Sequence, residues 1–351
     1  MIYTKLGKSD LDVSRICMGC MGIGDPSKGM NKWAVPEEES REIIRYALEQ
    51  GINFFDTAMS YQEGNSEEVL GKALKDFAKR DDYIVATKFL PRSQEELDRN
   101  VSGQAHVADC LDRSLKRLGL DYVDLYIYHM WDYHTPMEEI IEGLNNAVKA
   151  GKTRYAGISN CYAWQLAKAN FYARENGFAE FISLQGHYNL IAREEEREMI
   201  PFCEDQGIAL TPYSPLASGR LCRPAGKTTK RLELDAYARF KYDKSQDADA
   251  GIIDRVKELA ESKNIPMMEI SLAWLLRKVT APVMGVTKKS NIDGAVKAVE
   301  LELTQEETDY LEELYVPHAL AGIMAQNGKQ KAGETADAGL HCLLPVPAEG
   351  E

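Results

Sequence analysis

Eight short apolar, β-like runs alternate with helical segments along most of this 351-residue chain, and no other feature constrains its fold as much. The runs fall at residues 14–18, 53–56, 83–87, 123–128, 154–158, 181–185, 209–213 and 281–286. Between them the apolar spacing becomes helical, at 36–50, 66–77, 107–118, 136–150, 163–176 and 194–206. The first of these carries its own start and stop signals. Pro36 suits a first helical turn, Glu37 to Glu39 favour the positive helix end, and Gly51 closes the segment. Strands joined through helices run parallel and are covered by those helices. Eight is also the number that closes a sheet, so the pattern predicts a (β/α)8 TIM barrel. An open doubly wound sheet is the alternative, but Gly19, Gly22 and Gly24 have the wrong spacing for its Gly-x-Gly-x-x-Gly turn.

Residues 1–12 read as a polar strand–turn–strand, an N-terminal β-hairpin rather than a signal peptide. No apolar run approaches membrane-spanning length, so a cytoplasmic protein with no membrane partner is expected. A single barrel domain over 1–318 and a C-terminal tail over 319–351, loose on the surface, complete the expected organisation. Residues 216–250 break the rhythm: the segment is long, basic in its first half and without clear period, as lids and binding loops at the C-terminal face are. A formal net charge of −13 argues against a broad nucleic-acid surface, although a phosphate can still be held locally. Cys17 and Cys20 match C-x-x-C spacing. Zinc needs a second ligand pair that the sequence does not offer, so they read as small buried hydrophobes and no metal is expected.

Four polar residues close, or closely follow, three consecutive strands: Asp56, Tyr61, Lys88 and His129. Each has an ordinary explanation alone, as a turn cap, a loop aromatic, a snorkelling lysine or a structural histidine. In a barrel, however, strand C-termini share one cavity, and the coincidence favours chemistry. A free phenol has a pKa near ~10, and a nearby ammonium is expected to lower it. Asp56 would keep Lys88 charged, and His129 would orient a substrate oxygen beside Tyr61. The set suits a carbonyl that receives hydride on carbon and a proton on oxygen, the hydride coming from a cofactor. Ser159, Asn160 and Gln185 are candidates to grip a carboxamide, and Tyr213 offers a face for a nicotinamide to stack on. The turn from Gly285 through Thr287, Lys288 and Asn291 leads into a helix start, where amides and ammonium groups can trap a phosphate.

These residues resemble the aldo-keto reductases, over roughly residues 3–318. The resemblance rests on Gly51-Ile52-Asn53-Phe54-Phe55-Asp56-Thr57-Ala58 with Tyr61, on Ala86-Thr87-Lys88, and on the run from Asp121 to His129. It continues through Gly151 to Asn160 and Tyr213-Ser214-Pro215-Leu216, and closes with Tyr315-Val316-Pro317-His318, similar to the longer bacterial members. It implies a barrel that binds NADP(H), with NAD(H) as the alternative, and reduces an aldehyde or ketone to an alcohol. Tyr61 would be the general acid, tuned by Lys88 and Asp56, with His129 orienting substrate. Ser159, Asn160, Gln185 and Tyr213 would lie at the nicotinamide, and Met21 and Asp56 would also contact the cofactor. Ser214, Pro215, Leu216, Ser218 and Arg220 would lie by the pyrophosphate, and Gly285, Thr287, Lys288 and Asn291 near the adenosine. Met59, Trp131 and Trp33 would line the substrate pocket, together with Met21.

The chain departs from the family pattern at Gln62, where Gly often follows the tyrosine. It departs again at Gly294 and Ala295, where many members place Glu and Asn. Two other functions remain compatible with the same site. One is a cofactor-sensing regulatory subunit with little turnover, as in the potassium-channel β subunits. The other is a sugar or polyol dehydrogenase running in the oxidative direction. For the reductase reading the expected partner is a small-molecule carbonyl substrate, with no nucleic acid.

Overall fold

The computed structural model describes residues 1–324, so residues 325–351 of the tail expected over 319–351 lie outside the described residues. Strands β1 (Tyr3–Lys5) and β2 (Asp12–Ser14) pair antiparallel as the expected hairpin. Eight strands then form one parallel sheet: β3 (Cys17–Gly19), β4 (Phe54–Asp56), β5 (Ile84–Phe89), β6 (Val123–Tyr128), β7 (Thr153–Ser159), β8 (Phe181–Gln185), β9 (Ala209–Leu210) and β10 (Val283–Gly285). They lie in chain order with β10 beside β3. A parallel bridge between Tyr213 and Val283, with the Val283 N–H donating to the Pro212 carbonyl at 2.9 Å, joins the two ends and closes the barrel.

Strand periodicity divides the core in two. Inward-facing residues Cys17, Phe54, Ile84, Ala86, Leu125, Ile127, Ala209 and Val283 fill the barrel, and Leu6, Leu11 and Val13 of the hairpin segment plug its base. Outward-facing Phe55, Val85, Phe89, Tyr126, Tyr128 and Ile158 pack under the helices, among them Glu37–Glu49, Asn65–Phe77 and Gly103–Leu118. Because side chains alternate with period two, each inward apolar series must continue into whatever follows it. Phe54 leads to Asp56, Ile84 and Ala86 to Lys88, and Leu125 and Ile127 to His129. The strands thus deliver apolar layers to the barrel interior and the polar set to its C-terminal mouth.

Three segments depart most from expectation. The first predicted run, 14–18, spans the end of β2 and most of β3, with Arg15 and Ile16 turning between two separate sheets. The helix expected at 194–206 is broken into a 3-10 turn (Glu194–Glu196) and a short helix (Met199–Gln206). The aperiodic segment after residue 216 contains a 3-10 turn (Ala217–Cys222) and short helices at Lys230–Leu234 and Ala236–Tyr242, then the start of the longer Gln246–Lys263. Among the described residues no helix is long and apolar enough to cross a membrane.

Candidate active site

Lys88 is fully buried, yet its ammonium is well supplied with partners. Its Nζ donates to Asp56 Oδ1 at 2.5 Å, to the Thr57 carbonyl at 2.7 Å and to the Tyr61 hydroxyl at 3.3 Å. Burial opposes the lysine charge, but Asp56 and Tyr61 outweigh it and hold the Lys88 pKa above the ordinary value. Gln185 donates from Nε2 to the other oxygen of Asp56 at 2.9 Å, so the carboxylate is gripped from both sides of the barrel. The His129 ring stands edge-on to Tyr61, with centroids 6.0 Å apart. Its Nδ1 is buried without a partner, and burial followed by the Lys88 charge drives its pKa well below 6.5, so the imidazole is neutral at neutral pH.

The Tyr61 pKa requires a correction. The sequence argument expected the ammonium to lower it, but the net shift is upward. Burial is the largest influence and raises it; Lys88 pulls it down without cancelling the burial, and Asp56 adds to the rise. The phenol is therefore firmly protonated at neutral pH.

A cavity of about 670 Å³ opens above this cluster, ample for a bound organic cofactor. Its lining includes Asp56, Tyr61 and His129, Ser159, Asn160 and Gln185, Tyr213 to Leu216, and Gly285, Thr287, Lys288 and Asn291. Met21, Trp33 and Ser218 line it as expected. Five of its lining residues, Gln62, Glu63, Asn160, Ser214 and Ser218, are among the eight described non-glycine residues with positive φ, so backbone strain is concentrated here. Each such residue costs on the order of 1–3 kcal/mol and persists where surrounding contacts over-determine it, as functional sites tend to do.

Three expected residues are elsewhere. Met59 is held against the helix-side core, and Trp131 packs on the same core and against Trp164. Neither belongs to the cavity wall, because each is held by these packing contacts instead. Arg220 is drawn away by Asp243 at 2.7 Å and lies over the Tyr242 ring. Asn160 lines the cavity, but its amide is already engaged: it donates to the His129 carbonyl and Ser159 Oγ and accepts from the Tyr213 hydroxyl at 3.0 Å. One side of the Tyr213 ring is stacked on His187, with centroids 5.3 Å apart. Cys17 and Cys20 are free and buried, and burial raises both thiol pKa values well above normal, which leaves them inert. No metal-ligand cluster is found among the described residues.

The sequence reading missed Met30 and Asn31, Tyr237, Lys241, Met268 and Ile323, all of which line the cavity. Met268 answers one of the departures noted above. A Cβ placed on Gly294 would come within 1.9 Å of the Met268 methyl, so the bare glycine makes room for this thioether. Residues 24–35 gave one signal that could have been used: Gly24 and Gly29, both at positive φ, punctuate a segment between two elements.

Closed parallel barrel, strand-end polar cluster and long open cavity together define a barrel oxidoreductase. The sequence pattern of the Aldo/keto reductase family matches residues 15–316, and the chain belongs to that family. It is 42% identical over 341 residues to the versiconal hemiacetal acetate reductase of Aspergillus parasiticus, covering 91% of this chain and 98% of that one. A protein of Saccharomyces cerevisiae that carries an aryl-alcohol dehydrogenase name is 36% identical over 334 residues, covering 89% and 96% of the two chains. The crystal structure of a thermostable aldo-keto reductase in complex with the inhibitor epalrestat superimposes with a TM-score of 0.70 at 26% identity, over 90% of this chain and 100% of that chain. The chain is therefore an oxidoreductase of a family that uses nicotinamide cofactors and acts on small-molecule carbonyl compounds.

Proposed function

We propose that the protein is an NADPH-preferring carbonyl reductase that converts an aldehyde or ketone to an alcohol, with Tyr61 as proton donor. The observation that carries this reading is the buried Lys88 ammonium, held between Asp56 at 2.5 Å and the Tyr61 hydroxyl at 3.3 Å. A bound nicotinamide cofactor supplies the hydride. Tyr61 arrives protonated because burial keeps its pKa high. A carbonyl oxygen that gains negative charge becomes a far stronger base than phenolate, so transfer of the Tyr61 proton runs downhill. Lys88, already charged, stabilises the phenolate left behind, and no reorganisation is needed because Asp56 and Thr57 have fixed it. His129, neutral and beside Tyr61, can hydrogen-bond the same oxygen and hold it in line.

The cavity volume of about 670 Å³ leaves room for a dinucleotide. Ser159, Asn160, Gln185 and Tyr213 would hold the nicotinamide end, Ser214 to Leu216 with Ser218 the pyrophosphate, and Gly285, Thr287, Lys288 and Asn291 the adenosine end. Lys288 and Ser290, at the start of the helix Lys289–Glu300, support a preference for the phosphorylated cofactor. The aryl-alcohol dehydrogenase name carried by the Saccharomyces cerevisiae relative favours an aromatic carbonyl substrate. Loss of NADPH absorbance with a panel of aromatic and aliphatic aldehydes and ketones tests the reading. Turnover of aromatic members is expected; a cofactor bound tightly without turnover of any member would contradict it.

A further inference from the structure

We propose that Gln62 is a positioning residue that fixes the wall of the substrate mouth, by clamping the 24–34 loop onto the turn that carries Tyr61. This rests on the carbonyl-reductase reading and adds a determinant of substrate width to it.

Gln62 follows Tyr61 directly and is 1% exposed. Its Nε2 donates to the Asp25 carbonyl at 2.7 Å and to the Lys28 carbonyl, while its Oε1 accepts the Asn31 N–H at 3.2 Å. Two carbonyls and one N–H of a loop are thereby satisfied by one side chain. Among side chains of this length only a primary amide has the two donors and one acceptor that this requires. The neighbouring residues reinforce the grip. Glu63 accepts the Gly29 N–H at 3.2 Å, and Asn65 accepts the Asp25 N–H at 2.8 Å. A Cβ on Gly29 would come within 3.0 Å of the Gln62 Cα, so the loop backbone rests on the turn itself. Gln62 and Glu63 both hold positive φ, at 49° and 57°, a conformation that the clamp sustains.

The loop so held contributes Met30, Asn31 and Trp33 to the cavity wall. The Trp33 ring lies on the bare backbone of Gly22, where a Cβ would meet it at 2.5 Å, and Asn31 is tied back to the Met21 carbonyl at 3.1 Å. Trp33, Met30 and Met21 thus give the cavity that Tyr61 also lines an apolar stretch of wall, suited to an aryl carbonyl compound. Releasing the clamp would widen the mouth while the buried Lys88–Asp56 pair still holds the proton donor.

Steady-state reduction by Gln62→Gly and Gln62→Glu enzymes tests this. Glycine tolerates the positive φ and removes the clamp, whereas glutamate keeps the shape but sets a carboxylate against two carbonyls. Asn31→Ala, which loosens the same loop from its other side, serves as the independent variant. With benzaldehyde, KM is expected to rise about tenfold in all three, the scale of a lost pocket contact. kcat should move by less than about twofold, and acetaldehyde, too small to use the wall, should show no comparable KM change. Equal losses with both aldehydes, or a benzaldehyde KM that stays put in every variant, would overturn the proposal. A wild-type enzyme that reduces neither aldehyde nor any other carbonyl would instead remove the functional reading beneath it.

Discussion

At the scale of single residues, the site is governed by which protonation states burial permits. Tyr61 is held above the ordinary phenol value and His129 well below the ordinary imidazole value, so neither titrates near neutrality. Reduction needs the protonated phenol, which is present at every pH below the Tyr61 pKa and is lost as pH rises through it. The rate of reduction under saturating substrate should therefore stay level from about pH 6 to about pH 9 and fall only beyond the ordinary phenol range near 10. A stopped-time assay across that range checks it; an inflection near 6.5 would show a titrating histidine and contradict the assignment. The four residues of this cluster were legible in the sequence because each ends, or follows, a strand whose alternation can be counted. The direction of the Tyr61 shift was not legible, since it depends on how completely the barrel excludes water.

At the scale of elements, the loop leaving β5 after Lys88 and Phe89 is anchored by His106 of the helix Gly103–Leu118. Its two ring nitrogens meet Glu96 at 2.7 Å and the Leu90 carbonyl at 2.8 Å, a geometry that needs both nitrogens protonated. Burial opposes the charge, but Cys110, Glu96 and Leu90 overcome it and push the pKa up to about 9. A raised pKa contributes stability that is complete below the unfolded value of about 6.5 and is lost as pH rises through about 9; here the contribution is on the order of 3 kcal/mol. Thermal melts of the wild type should fall over that window, and those of His106→Gln should start lower and fall less. Equal pH dependence in both would sink the argument. Nothing in the sequence announced this pair, because ten residues and a helix boundary separate its members. Likewise the 24–34 loop has no periodicity that would reveal it as a cavity wall, and the lack of period over 216–250 pointed to a binding loop without naming Tyr237 or Lys241, whereas six of the covering helices were found by spacing, the last in broken form.

At the scale of the whole molecule, the barrel is two cores around one sheet: an inner one plugged by the hairpin, an outer one under the helices. The eight-fold alternation made this architecture readable from the chain. What it could not give was the closure contact from Tyr213 to Val283, which lies past the end of β9, or the packing of Met59 and Trp131 on the helix-side core, which depends on contacts distant in sequence. The cavity runs over the C-terminal ends of the strands, so a ligand that fills it ties the barrel together. A ligand at a hundredfold excess over its Kd adds about 3 kcal/mol to the folded state. NADPH should raise the melting temperature more than NADH at equal concentration, with Lys288→Ala reducing the difference. Identical shifts from the two cofactors would count against the assigned preference.

Proton donation by Tyr61 beside a charged Lys88 is the central step of the proposed reaction. Turnover of NADPH with an aromatic aldehyde by Tyr61→Phe, set beside the NADPH dissociation constant of the same protein, tests that directly. The expected result is a kcat lower by about 100-fold or more, the scale of a lost general acid, with cofactor affinity retained. Activity close to wild type would contradict the assignment, and so would a loss of turnover that merely follows a loss of NADPH binding.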